Sequence, residues 1–98
     1  MMPYLEEIKV GLRTLKPELS ARFHVSAIGI FGSVVRSDFS PFASDIDIIV
    51  DFSQPIGVEF IDLAYYLEDK LHRKIDLVSK RGIKPQYYYE IEKDIIYV

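Results

Sequence analysis

Cysteine is absent from this 98-residue chain, which excludes disulfide frameworks, thiolate metal sites and cysteine nucleophiles together. Histidine is scarce: His24 and His72 are the only two, both at expected junctions between elements, which argues against a Ser-His-Asp hydrolase. No apolar run approaches the roughly twenty residues of a membrane span, and the N-terminus lacks the basic and apolar pattern of a signal peptide. A soluble, cytoplasmic protein with no membrane association is therefore expected. Positive charge is not in excess either. A net charge of −3 and a pI near 5.3 argue against strong non-specific nucleic-acid binding, which needs clustered Lys and Arg. The dinucleotide-binding glycine pattern, the P-loop, H-E-x-x-H and G-x-S-x-G are all missing, as are repeats and low-complexity tracts.

What is present is apolar and aromatic. Hydrophobic residues make up 49% of the chain and aromatics 13%, enough for a compact globule rather than a disordered segment. The length suits a single domain, 1–98, with one two-layer core.

Leu5, Ile8, Leu12 and Leu15 recur at helical spacing from Pro3 to about Leu15, with acidic residues in the first turn. Pro17 is expected to interrupt that helix, with a short continuation from Leu19 to Phe23. Val25 to Phe31 reads as a buried strand ending at Gly32, and Ser33 to Arg36 as the start of a short helix with Ser33 as its N-cap. Residues Ser37 to Ser44 form a loop, and Asp45 to Phe52 a second strand ended by Ser53-Gln54-Pro55. Between Gly57 and Arg73, Phe60, Leu63, Ala64, Leu67 and Leu71 share one helical face, with His72 near the C-terminal end of the dipole. Lys74 to Ser79 is a third strand. Pro85 opens a last helix through Lys93, and Ile95 to Val98 closes the chain as a strand. Helices alternating with strands indicate an α+β, or α/β two-layer, domain in which a small mixed sheet packs against helices.

The chemistry-bearing stretch runs from Ile28 to Asp51. Asp45 and Asp47, one residue apart on a strand, share a face, while Ile46, Ile48 and Val50 share the other. Asp76, on the third strand, adds a third carboxylate beside apolar surface. Such a concentration of negative charge is costly unless a cation compensates it. Mg²⁺ suits it, since the ion prefers carboxylate and phosphate oxygens, and two ions about 4 Å apart could bind the attacking and leaving oxygens of a nucleotidyl transfer. Upstream, Gly32-Ser33 lets the backbone approach a triphosphate and offers N–H groups and a hydroxyl to its oxygens. Arg36, one turn later, covers the same phosphates.

At these residues the chain resembles the minimal nucleotidyltransferase family of the polymerase-beta-like superfamily. The resemblance rests on F-G-S-x-x-R at Phe31 to Arg36 and S-D-I-D-I-I-V at Ser44 to Val50. K-I-D-L-V-S at Lys74 to Ser79 and the closing K-P-x-x-x-x-x-I-E-K-D-I-I-Y-V extend it over nearly the whole chain. The eleven residues 34–44 between Gly32-Ser33 and Asp45 are one more than the usual interval, which implies a loop insertion around Ser40-Pro41-Phe42. The likeness implies a polymerase-beta-like nucleotidyltransferase fold and an antitoxin that transfers AMP from Mg-ATP to a tyrosine hydroxyl of a HEPN ribonuclease toxin. It also implies that Gly32, Ser33 and Arg36 hold the nucleotide, and that Asp45, Asp47 and Asp76 are both catalytic residues and Mg²⁺ ligands. Asp51, on the same face as Asp47, lies too far along the strand to share its metal. Two other readings stay open: an antitoxin that acts by binding and masking alone, and a transferase acting on a small molecule or an RNA end.

The chain is too short to carry a separate acceptor-binding domain, so the acceptor is expected to be brought by a partner or to be a small molecule that needs little binding surface. Tyr65, Tyr66 and the run Tyr87 to Tyr89 are candidates for the partner surface, with packing as the competing account.

Overall fold

A computed structural model describes residues 4–36, 40 and 44–98. Helix α1 spans Tyr4–Phe23, strand β1 Val25–Phe31, and a 3₁₀ turn Gly32–Val34. Strand β2 covers Ile46–Phe52, helix α2 Glu59–Leu71, and strand β3 Ile75–Ser79. Helix α3 covers Pro85–Ile91, a second 3₁₀ turn Glu92–Asp94, and strand β4 Ile96–Tyr97. The expected helix start at Pro3 and most of the expected 37–44 loop, including Pro41 and Phe42 of the supposed insertion, lie outside the described residues.

The four strands form one mixed sheet in the order β3-β2-β1-β4. β1 runs antiparallel to both β2 and β4, whereas β2 and β3 are parallel and α2 makes the crossover between them. The α+β sheet expected from the sequence is the one observed.

Helix α1 is continuous, contrary to the expected break. Pro17 lies inside it, exposed, while Leu12 and Leu19 on either side are completely buried and Phe23 is 5% exposed. An interior proline costs about 3 kcal/mol. Burying Leu19 and Phe23 returns about 1.5–3 kcal/mol each, so packing outweighs the local defect. The helix ends at His24, whose φ of 59° turns the chain into β1. The His24 carbonyl then accepts from the Ser53 backbone N–H at 2.8 Å, tying this corner to the end of β2. His72 also adopts left-handed geometry, with φ 55°, as the C-cap of α2, and its backbone N–H reaches the Glu68 carbonyl at 2.9 Å. Both histidines act structurally through their backbones.

Alternation along β2 divides the sheet. Ile46, Ile48, Val50 and Phe52 pack into one apolar cluster with Ile8, Leu12, Leu63 and Leu67 from α1 and α2. On the opposite face Phe31 and Ile49 are buried at 2% and 1% but stand outside that cluster. There the C-terminal segment covers part of the sheet: a Cβ on Gly29 would meet Ile95 Cγ2 at 2.7 Å. The remainder of this second face carries the acids. Among the described residues, no helix is long and apolar enough to cross a membrane.

Candidate active site

Two hydrogen bonds set the geometry of the acid face. The Ile46 N–H donates to the Lys74 carbonyl at 2.9 Å, and the Ile75 N–H donates to Glu68 Oε2 at 3.0 Å, so β3 is fixed against both β2 and α2. The parallel register that follows sets Asp47 beside Asp76. On the other side of Asp47 lies Phe31 of β1, the residue before Gly32.

Gly32 closes the site from behind. Its φ is +77°, a conformation that side-chain-bearing residues rarely adopt, and a Cβ built there would overlap Asp47 Oδ2. Glycine is required here on both counts, and the Asp47 carboxylate rests directly against the backbone of the turn. The Gly32 carbonyl accepts from the backbone N–H groups of Val35 and Arg36, both at 3.1 Å. Ser33 is not the N-cap that the sequence suggested. Phe31 occupies that position and no side chain caps the turn, because the glycine enters the 3₁₀ geometry one residue earlier than a serine cap would allow.

Asp45 also departs from expectation. The strand begins at Ile46, so Asp45 is an exposed residue just ahead of it and no pleat assigns its face. Its charge nevertheless acts on Asp47. Burial, then the charge of Asp76 and a side-chain hydrogen bond with it, then Asp45, push the Asp47 carboxyl up to about 6, with Arg36 opposing the shift. Arg36 stands between two acids: besides its pull on Asp47, its Nη1 is 4.0 Å from Asp94 Oδ2. Asp94 had no place in the sequence reading, although it sits in the closing I-E-K-D-I-I-Y-V motif.

Tyr87 figured in the sequence only as a candidate for the partner surface. Helix α3 holds it near the acids, and burial, then the charges of Asp47, Asp76 and Glu90, raise its phenol above the usual range. Its neighbours differ in role: Tyr89 is 77% exposed, whereas the Tyr88 ring lies 5.6 Å from Lys80 Nζ. Tyr65 is exposed on α2, and Tyr66 packs its ring 5.2 Å from Phe23. Packing therefore accounts for Tyr66 and Tyr88, while Tyr65 and Tyr89 remain exposed.

Among the described residues, no three His, Cys, Asp or Glu side chains converge closely enough to hold an ion by themselves. The adjacent pair Asp47 and Asp76 does fit a hard cation. It offers oxygen donors alone, and its mutual repulsion is what a cation relieves; Mg²⁺ commonly takes one or two carboxylates and completes its shell with phosphates and water.

Residues 12–98 match the model of the nucleotidyltransferase domain family. The protein adenylyltransferase MntA of Thermococcus cleftensis is 42% identical over 95 residues, spanning 96% of this chain and 95% of that protein. In three dimensions, the solved structure of a minimal nucleotidyltransferase superposes with a TM-score of 0.71 at 28% identity, covering 91% of this chain and 93% of the other. A chain from the complex of a tri-AMPylated Shewanella oneidensis HEPN toxin with an MNT antitoxin shares the fold, with a TM-score of 0.65 at 24% identity over 98% of this chain and 71% of that one. A family match over most of the chain, on a fold that sets Asp47 and Asp76 side by side against Gly32, identifies this protein as a member of the nucleotidyltransferase domain family.

Proposed function

We propose that this chain, as a single domain, transfers AMP from Mg-ATP to a tyrosine hydroxyl of a partner HEPN ribonuclease toxin and so neutralises it. The observation that carries the reading is the acid pair: Asp47 and Asp76 share one face of adjacent strands, and Asp47 is pressed against the Gly32 turn. The protein adenylyltransferase similar over nearly its whole length supports the reaction class, and the fold shared with the HEPN-bound complex supports the partner.

In this reading the backbone and hydroxyl of Ser33, with Gly32 and Arg36, hold the β- and γ-phosphates. Asp47 and Asp76, with Asp45 completing the set alongside phosphate oxygens, would hold one or two Mg²⁺ ions, whose chemistry there would be to offset charge gathering on the phosphates and the leaving group. Asp76 takes the proton of the acceptor hydroxyl. The phenolic oxygen bonds to the α-phosphorus, the bond to the β-phosphate oxygen breaks, and pyrophosphate leaves. Arg36 steadies that leaving group, for which it gives up part of its contact with Asp94.

Purified protein given α-labelled ATP, Mg²⁺ and the HEPN partner should label the partner, and Asp45→Asn, Asp47→Asn or Asp76→Asn should each lower the rate by about 10²–10⁴. Labelling that survives all three substitutions would refute the assignment. Undiminished protection of cells by the unlabelling variants would instead indicate masking.

A further inference from the structure

In-line displacement gives the site a direction. The attacking oxygen must approach the α-phosphorus opposite the departing pyrophosphate. Gly32, Ser33 and Arg36 follow β1, on one flank of β2, while Asp76 lies on β3, on the other flank. With the leaving group on the β1 side, the acceptor hydroxyl has to arrive from the β3 side. β3 is an edge strand, so nothing else in the sheet stands in its way.

A cavity of about 690 Å³ opens on that flank. Ile56, Phe60, Leu77, Val78, Ile83 and Tyr87 line it. Val78, two residues beyond Asp76 and on the same face of β3, lines the cavity roughly 7 Å along the strand from Asp76, whereas Leu77, level with Ile48, lines it from the helix side, so the cavity takes residues from both faces at this edge. Tyr87 belongs to both places, since it lines the cavity and feels the charges of Asp47 and Asp76. The six residues assigned to nucleotide and metal are not in the lining at all.

Arg81 is part of the cavity lining, and Lys80 and Lys84 flank the lining residues 81–83 in sequence. The protein is net negative, yet exposed Lys80, Arg81 and Lys84 cluster in the loop between β3 and α3. Arg81 is anchored, its Nε 3.4 Å from Asp51 Oδ1 and its Nη2 donating to the Phe52 carbonyl at 3.3 Å. A second copy of this chain would bring the same basic rim to the contact, so like charges would oppose it.

We propose that this cavity seats the acceptor protein: a segment next to the accepting hydroxyl inserts an apolar side chain into it, and carboxylates flanking that side chain meet Lys80 and Lys84. The inference rests on the transfer reaction proposed above. The cavity supplies the apolar anchor and the basic rim the steering, so the hydroxyl reaches Asp76 already oriented.

Two variants test this against the HEPN partner. Ile83→Asp places a charge at the half-buried lip, and the double change Lys80→Glu/Lys84→Glu reverses the rim at exposed positions where folding is not at stake. In steady-state transfer each should raise KM for the partner about 10-fold, while KM for Mg-ATP stays within about twofold. Titration calorimetry of the partner without nucleotide should show a matching loss of affinity. A rise in KM for ATP with the partner KM unchanged would assign the cavity to the nucleoside and overturn the proposal, as would no change in either. Should the unaltered protein transfer nothing, the function proposed above fails, and the calorimetric comparison still decides the docking surface: equal affinity for all three proteins would refute it.

Discussion

The two faces of β2 are made from one seven-residue strand and differ in nearly every physical respect. On the helix side, Ile46, Ile48, Val50 and Phe52 are at most 5% exposed and interlock with α1 and α2. On the other side, Asp47 and Asp51 are only half-buried, and Asp47 is forced against both Asp76 and the Gly32 turn. The first face lowers the free energy of the fold. The second raises it, because two like charges share a partly dehydrated place. Stability is thus concentrated on the helix side and the acids on the side that the helices leave open. The arrangement lets a strained acid pair persist, since the core opposite holds its register.

The contrast is most severely tested by changing one residue on each face. Ile48→Ala, at a completely buried position, should destabilise the protein by about 2–5 kcal/mol in denaturant unfolding. A loss under about 1 kcal/mol would mean that the helix face does not carry the fold. Gly32→Ala, at the boundary between the faces, should cost about 1–3 kcal/mol, through the positive φ and the overlap with Asp47, and should also impair nucleotide transfer. Gly32→Ala with native stability would show that the turn relaxes without disturbing Asp47.

The smallest effect is the pH dependence of the acid face. Asp47 titrates near 6 in the fold against an ordinary value of 3.8, so between these values the folded state binds more protons than the unfolded one. Stability contributed at this position therefore falls as pH rises from about 4 to 6 and stays lower above that window. Asp47→Asn should remove this slope and make the metal-free protein more stable at pH 7 by about 1–3 kcal/mol, while the proposed transfer should slow. Unfolding curves of the two proteins at several pH values check the difference, and parallel pH profiles would contradict it.

Much of this was legible in the chain itself. The apolar runs Val25 to Phe31 and Asp45 to Phe52, separated by glycine, serine and a polar loop, mark two strands within a residue of where they occur. Alternation alone separated Ile46, Ile48 and Val50 from Asp47, because strand period is a local property of the backbone. Where local rules misled, a long-range term had intervened. Pro17 should stop a helix, but Leu19 and Phe23 beyond it gain more by burial than the proline costs. Ser33 is a good N-cap by composition, but Gly32 takes the turn first because Asp47 leaves no room for a side chain there.

The order of residue types, by itself, determined which segments form strands and helices and which side of β2 is apolar, and it singled out Gly32, Ser33, Arg36, Asp45, Asp47 and Asp76 as candidates. Their spacing along the chain is enough for that. Only the tertiary structure decided that β3 lies parallel beside β2 with Asp76 level with Asp47, that Arg36 faces Asp94, and that Tyr87 joins the acids to the β3 cavity. Those pairings span from eleven residues, Asp76 to Tyr87, to fifty-eight, Arg36 to Asp94, and are set by how the helices and strands pack, which no local pattern encodes.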